Sequence, residues 1–219
     1  MSELKKKALS GVFWSFLQQF GGQLISFISS IILARILLPE EFGLIAIILV
    51  FIGVANSIVD SGLGQSLIRT KKPSIEEYST VFFYNIALSF ITYFFLFLIA
   101  PFIAKFFQKE VLTLILRCYA LVIIVNSFSI IQKARLAKML NFKVQMYSEI
   151  PAIFLGSLVG VICAFNSLGV WSLVYMAWVY SIINTILLWK LSIWKPVWTF
   201  KINKFKYHFN FGYKLNFSN

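Results

Sequence analysis

Charge, histidine and cysteine are scarce in this chain, and each shortage closes off a class of protein. Charged residues make up 13% of the sequence, with 8 acidic side chains among 219 residues, against about 25% charged in an ordinary soluble domain. A soluble fold is excluded. One histidine and two cysteines, Cys118 and Cys163, stand without CxxC spacing, so the sequence offers no metal-ligand set and no disulfide framework. Nor does it contain a nucleophile elbow, a P-loop, a paired-carboxylate site or the TVGYG filter of a potassium channel. The chain is read as non-enzymatic, with no cofactor.

What fills it instead is apolar sequence: 59% hydrophobic residues and a mean hydropathy of +0.83. A bilayer core of roughly 30 Å needs about 20 apolar residues as helix. Six runs meet that length, near 9–34, 43–68, 78–101, 111–131, 148–166 and 170–190. The fold class is therefore all-α, a polytopic membrane protein with a six-helix bundle. The first run follows three lysines but is some 26 residues long, whereas a secretory h-region has about 7–15. It is read as an uncleaved first span.

The net charge of +12 does not point to nucleic acid, because the basic residues are not gathered on one water-exposed face. They collect at every second loop. Lys5, Lys6 and Lys7 precede span one; Arg69, Lys71 and Lys72 follow span two; Lys133, Arg135, Lys138 and Lys143 follow span four; and six more, from Lys190 to Lys214, follow span six. Only Arg35, Lys105 and Lys109 fall on the other face. The positive-inside rule then places the N-terminus in the cytoplasm, with anionic headgroups as partners at the inner face.

Pro39 and Gly43 mark a tight outer hairpin. Ser74, ahead of Glu76 and Glu77, predicts an N-cap and an acidic first turn for the third span. The stretch from Gln132 to Tyr147 carries Lys and Arg at helical intervals and reads as a helical extension of span four lying at the headgroups. Residues 1–208 form the six-span lobe with a basic cytoplasmic loop, and 209–219 read as the start of a truncated seventh span.

Polar side chains inside the spans pack helices together or line a path. In span one Gly11, Ser15, Gln18, Gly22, Ser26 and Ser29 recur at helical spacing, widened by Gln19 and Gln23. Span two adds Asn56 and Asp60, span three Asn85, and span four Asn126. Asp60 reads as the single deep carboxylate, facing either a wet cavity or a structural partner. Arg117 lies inside span four, where it either snorkels to the headgroups or faces the bundle and grips a phosphate; Arg35 admits the same two readings. Gly156 and Gly160 form a GxxxG, which predicts close contact with a neighbouring helix.

Several stretches together carry a resemblance: LARILLPEEFG at the first hairpin, DSGLGQSLIRTK closing span two, STVFFYNIALS, APFIAKFFQKEVLTLILRCYAL, LAKMLNFK, SLGVWSLVY, WKPVWTF and FNFGYKL. In this order they resemble the Wzx-like flippases of the multidrug/oligosaccharidyl-lipid/polysaccharide superfamily. The resemblance implies two helical lobes around a central cavity in the bacterial cytoplasmic membrane. By alternating access they would move an undecaprenyl-diphosphate-linked oligosaccharide outward for O-antigen, capsule or other surface polysaccharide synthesis. It implies that Gln18, Gln19, Gln23, Asn56, Asp60, Asn85 and Asn126 line the cavity, that Arg35 and Arg117 attract the diphosphate, and that Arg69, Lys133 and Arg135 mark the inner mouth. Asp60 would titrate if protons or sodium drive the cycle. The partners implied are the lipid-linked oligosaccharide, a glycan polymerase and glycosyltransferases. A multidrug or lipid II exporter of the same fold, and a half-lobe that only scaffolds glycan-synthesis enzymes, are the alternative readings.

Overall fold

A computed structural model describes residues 3–60 and 62–216, with side chains from residue 10 to residue 209 apart from 61. In chain order the helices are α1 (Glu3–Ile36), α2 (Pro39–Asp60), α3 (Leu63–Arg69), α4 (Ile75–Phe106), α5 (Val111–Lys138), α6 (Phe142–Phe165), α7 (Trp171–Leu191) and α8 (Ile202–Asn216). Six of them, α1 from Ser10 onward and α2, α4, α5, α6 and α7, are long and apolar enough to cross a membrane. The chain is a multi-pass membrane protein, all-α among the described residues.

Local chemistry sets the helix starts. Pro39 opens α2, where its missing N–H costs nothing, and Glu41 reaches back to accept the Leu38 N–H at 2.8 Å. Ser74 caps α4 in a full capping box with Glu77, as the sequence predicts. Lys138, on the last turn of α5, donates its ammonium to the Leu67, Ile68 and Thr70 carbonyls. A cation at that place satisfies the carbonyls that the end of α3 leaves open.

Spanning helices alternate in direction, so α5 and α7 run parallel. Their contacts obey that rule: the Trp178 indole donates to the Cys118 carbonyl at 3.1 Å, Thr185 to Val125 at 3.3 Å and the Trp189 indole to Phe128 at 3.1 Å, with sequence separations of 60, 60 and 61. A constant offset is what two parallel helices in register produce. Ser89 of α4 donates to Ser127 of α5 at 3.1 Å, and the apolar core between α2, α4, α5 and α7 is built on Ile48, Ala100, Leu112, Ile115 and Ala120, all 0% exposed. With no water in hydrocarbon, these polar side chains find carbonyls or one another.

The GxxxG prediction is met at α6–α7. A Cβ on Gly156 would stand 2.9 Å from the Met176 carbonyl, and one on Gly160 would stand 2.9 Å from the Met176 Cβ. Only hydrogen fits there.

Three expectations are corrected. Span two is not one helix over 43–68: α2 stops at Asp60, Gly62 takes the left-handed region at φ 67, and α3 starts at Leu63. Glycine enters that region without the Cβ clash that bars other residues, so the DSGLG stretch breaks the helix. Asp60 is therefore at a helix end and exposed, not deep within a span. The Gln132–Tyr147 stretch extends span four as a helix only as far as Lys138. It divides between α5, which continues to Lys138, and α6, which starts at Phe142. Charged residues end an apolar run without ending a helix, which is why both boundaries were displaced. Beyond α7, α8 runs from Ile202 to Asn216 across the described part of the 209–219 stretch; residues 217–219 lie outside the described residues, as do the side chains of Lys5, Lys6 and Lys7.

Candidate functional site: the cleft between α1 and α6

The small residues of the α1 stripe divide into two adjoining faces. Gly11, Gly22 and Ser29 are buried, with Phe142 and Ile153 of α6 closing on the two glycines at 3.2 and 2.9 Å from where a Cβ would be. Beside that seam Ser15, Gln18, Gln19, Gln23, Ser26 and Ser30 line a cleft of about 970 Å³, faced from α6 by Phe142, Gln145, Glu149 and Ile153. Packing and lining thus share one stripe. The polar residues gathered there are amides, hydroxyls and one carboxylate, on helices otherwise suited to lipid.

Glu149 is the residue that sequence reasoning passed over, because it was placed at the mouth of span five. With α6 starting at Phe142, it lies seven residues in, about 10 Å along the helix. The Gln18 amide donates to its Oε2 at 2.6 Å, and the Tyr180 phenol of α7 lies beside it. A signal was available: Gln145 and Glu149 are four apart, one face of a helix, within a stretch that lacks any helix breaker before Pro151.

The other expected lining residues are elsewhere. Asn85 is 0% exposed inside α4, with neither amide atom hydrogen-bonded to another described residue, so it does not reach this cleft. Asn126 is half-buried on α5 and Asn56 is exposed on α2; neither lines the α1–α6 cleft. Asp60 and Lys133 share a second, smaller cleft of about 340 Å³ with Gly64, Gln65 and Gln145. Of the basic residues read as an inner mouth, Arg69 is exposed at the end of α3 and Arg135 half-buried on α5.

Arg117 meets α4. Pro101 sits inside α4 and has no N–H, which deprives the Phe97 carbonyl of its helical donor. The Arg117 Nε donates to that carbonyl at 3.2 Å, and its guanidinium lies 3.9 Å from the centre of the Phe97 ring. From α5 the side chain thus supplies a donor to the carbonyl that Pro101 leaves without its helical one. Arg35 is exposed at the end of α1.

His208 falls in the basic stretch after span six, outside the spans. In the structure it is buried where α8 meets α3 and α4, its Nδ1 2.8 Å from the Ser66 hydroxyl and its Nε2 3.8 Å from Glu77. Lys204 pairs with the same Glu77 at 3.0 Å, and Lys201 with Glu76 at 2.6 Å. Burial pushes the imidazole below its ordinary value, with Glu77 raising and Lys204 lowering it further.

Comparison with known proteins meets this geometry from the other direction. Residues 32–219 match the family described as polysaccharide biosynthesis protein. The chain belongs to that family. Among its relatives, the succinoglycan biosynthesis transport protein ExoT of Rhizobium meliloti is 27% identical over 199 residues, covering 91% of this chain and 40% of its own length. The lipopolysaccharide biosynthesis protein WzxC of Escherichia coli is 26% identical over 182 residues, 83% of this chain and 36% of that protein. The teichuronic acid biosynthesis protein TuaB of Bacillus subtilis is 24% identical over 218 residues, 97% of this chain and 44% of that protein. The chain thus spans less than half the length of these curated relatives. No solved structure matches it.

Proposed function

We propose that this lobe forms one wall of a flippase that carries undecaprenyl-diphosphate-linked oligosaccharide repeat units across the bacterial cytoplasmic membrane, by alternating access, for surface polysaccharide synthesis. The observation that carries the reading is the α1–α6 cleft, where Gln18, Gln19, Gln23 and Gln145 gather beside serines and Glu149 within membrane-spanning helices. Amides, hydroxyls and a carboxylate are the groups that exchange hydrogen bonds with sugar hydroxyls. In hydrocarbon such a surface is costly unless it faces water or a polar cargo.

In this reading the N-terminus is cytoplasmic, the basic inner loops meet anionic headgroups, and Arg35 attracts the diphosphate at the outer end of α1. Arg69, Lys133 and Arg135 draw the anionic lipid carrier toward the inner mouth. Asp60, beside Lys133 in the smaller cleft, is the candidate for proton or sodium coupling; unchanged export by an Asp60→Asn variant would remove that role. Glycosyltransferases and a glycan polymerase act before and after it.

Deletion of the gene tests the function. Cells lacking it should accumulate undecaprenyl-linked repeat units in the inner leaflet, measured by mass spectrometry of extracted lipids. A chain that only scaffolds synthesis enzymes leaves no such pool, and a multidrug exporter leaves the glycan lipids unchanged.

A further inference from the structure

The cleft between α1 and α6 has a charge character as well as a polarity. Its lining contains one ionisable side chain, Glu149, and neither lysine nor arginine among the described residues. Lys143 on the first turn of α6 is turned away onto aromatic faces, its ammonium 5.4 Å from the Trp14 ring centre and 5.8 Å from that of Tyr147. Lys133 belongs to the smaller cleft with Asp60. From α1 the groups facing Glu149 are the neutral Gln18 and its neighbours, and from α7 the Tyr180 phenol. Both can donate a hydrogen bond to the carboxylate, and neither brings a positive charge.

Resting on the glycan reading above, we infer that this cleft is a subsite for a neutral or amine-bearing sugar, with Glu149 as the residue that excludes carboxylates and phosphates from it. The physical reason is asymmetric. A carboxylate accepts hydrogen bonds from sugar hydroxyls and from ammonium groups, and these charge-assisted bonds are the strong ones. A uronate or phosphate brought to the same place adds a like charge in a region of low dielectric, where repulsion is poorly screened. Lone pairs would then face lone pairs with no bridging cation on the lining. The Gln18 bond holds the Glu149 carboxylate on the α1 side of the cleft, while Gln19, Gln23, Ser26 and Ser30 remain on the lining for the rest of the ring. The diphosphate of a lipid-linked cargo consequently seats outside this cleft, and the sugar residue that passes along α1 is one without an acid group.

The test uses the whole chain in nanodiscs of zwitterionic lipid and three tritiated tetrasaccharides: N-acetylated chitotetraose, which is neutral, its deacetylated amine form, and tetragalacturonate. Equilibrium binding should favour the first two over tetragalacturonate by about tenfold or more, a preference worth one decade in Kd. In Glu149→Gln, checked for unchanged helicity, the three should bind within about twofold of one another. Tetragalacturonate binding as tightly as the neutral sugar in the unaltered chain overturns the subsite without touching the glycan reading, and this arm needs no variant to fold. A preference that survives Glu149→Gln overturns the role of that residue. Binding of none of the three overturns the glycan reading and the subsite with it.

Discussion

The α4–α5–α7 block and the α1–α6 seam are made from the same kinds of residue and use them oppositely. In the block several polar side chains find partners internally: Trp178, Thr185 and Trp189 donate to carbonyls of α5, Ser89 pairs with Ser127, and Arg117 supplies the carbonyl that Pro101 leaves open. Along the seam, among the described residues, Gln18 crosses to α6 by a side-chain bond to Glu149, while Gln19, Gln23, Ser26 and Ser30 open onto the cleft. A polar residue in a span therefore carries no function by its type. What distinguishes the two regions is exposure: Asn85 and Ser127 are fully buried, whereas Gln19 and Gln23 open onto the cleft.

The comparison breaks most visibly at the α6–α7 contact, which joins the seam to the block. Gly156→Val should cost about 3 kcal/mol, the upper end of overpacking penalties, because the atom it meets is the Met176 backbone carbonyl; the thermal midpoint in detergent measures it. Gly53→Ala, with no heavy atom within 4 Å of its Cβ, should leave the midpoint unchanged. Arg117→Ala comes next, at about 2 kcal/mol, since it strips a charged donor from a carbonyl that has no helical partner. Restoring the donor in the Pro101→Ala, Arg117→Ala double variant should recover part of that loss.

Trp189→Phe should cost about 1 kcal/mol, the ordinary worth of one intramolecular hydrogen bond, and a double-mutant cycle with Trp178→Phe would show whether the α5–α7 contacts add. Where α8 docks on α3 and α4, the buried His208 sets a pH dependence. Its folded-state value lies below 6.5, so the folded chain takes up the proton later than the unfolded chain. Stability is full above about pH 6.5, falls as the pH drops below that value, and levels off beneath the folded-state value. His208→Gln should flatten the profile of thermal midpoint against pH. Smallest in stability is Gln23→Ala, within about 0.5 kcal/mol as for surface changes, yet it should weaken oligosaccharide binding several-fold.

Much of the fold was legible because hydrocarbon thickness acts on composition alone. The six spans, the Ser74 cap and the Gly156–Gly160 contact all follow from local pattern. The site was legible in part. Gln18, Gln19 and Gln23 come together because they share one helix face, whereas Asn56, Asn85 and Asn126 each sit on a different helix, and nothing in an isolated asparagine tells which way its helix is turned. Glu149 was missed because span five reads as starting at 148, which puts it at the helix mouth, whereas α6 starts at Phe142. The partner of Arg117 was not legible because it is a carbonyl freed by a proline sixteen residues earlier in the chain, a relation that exists only once α4 and α5 are antiparallel neighbours. The docking of His208 was not legible because aromatics alternating with lysines carry no sign of the α3 and α4 surface that α8 meets.

The contrast between an open seam and a closed block is tested most directly by cysteine labelling. In a background with Cys118 and Cys163 replaced by alanine, Gln19→Cys, Gln23→Cys, Asn85→Cys and Ser127→Cys are exposed to a membrane-impermeant maleimide in intact cells and in inverted vesicles. The account predicts that positions 19 and 23 react from at least one side while 85 and 127 stay unlabelled from both. Labelling at 85 or 127 as fast as at 23, or silence at both 19 and 23, would contradict it.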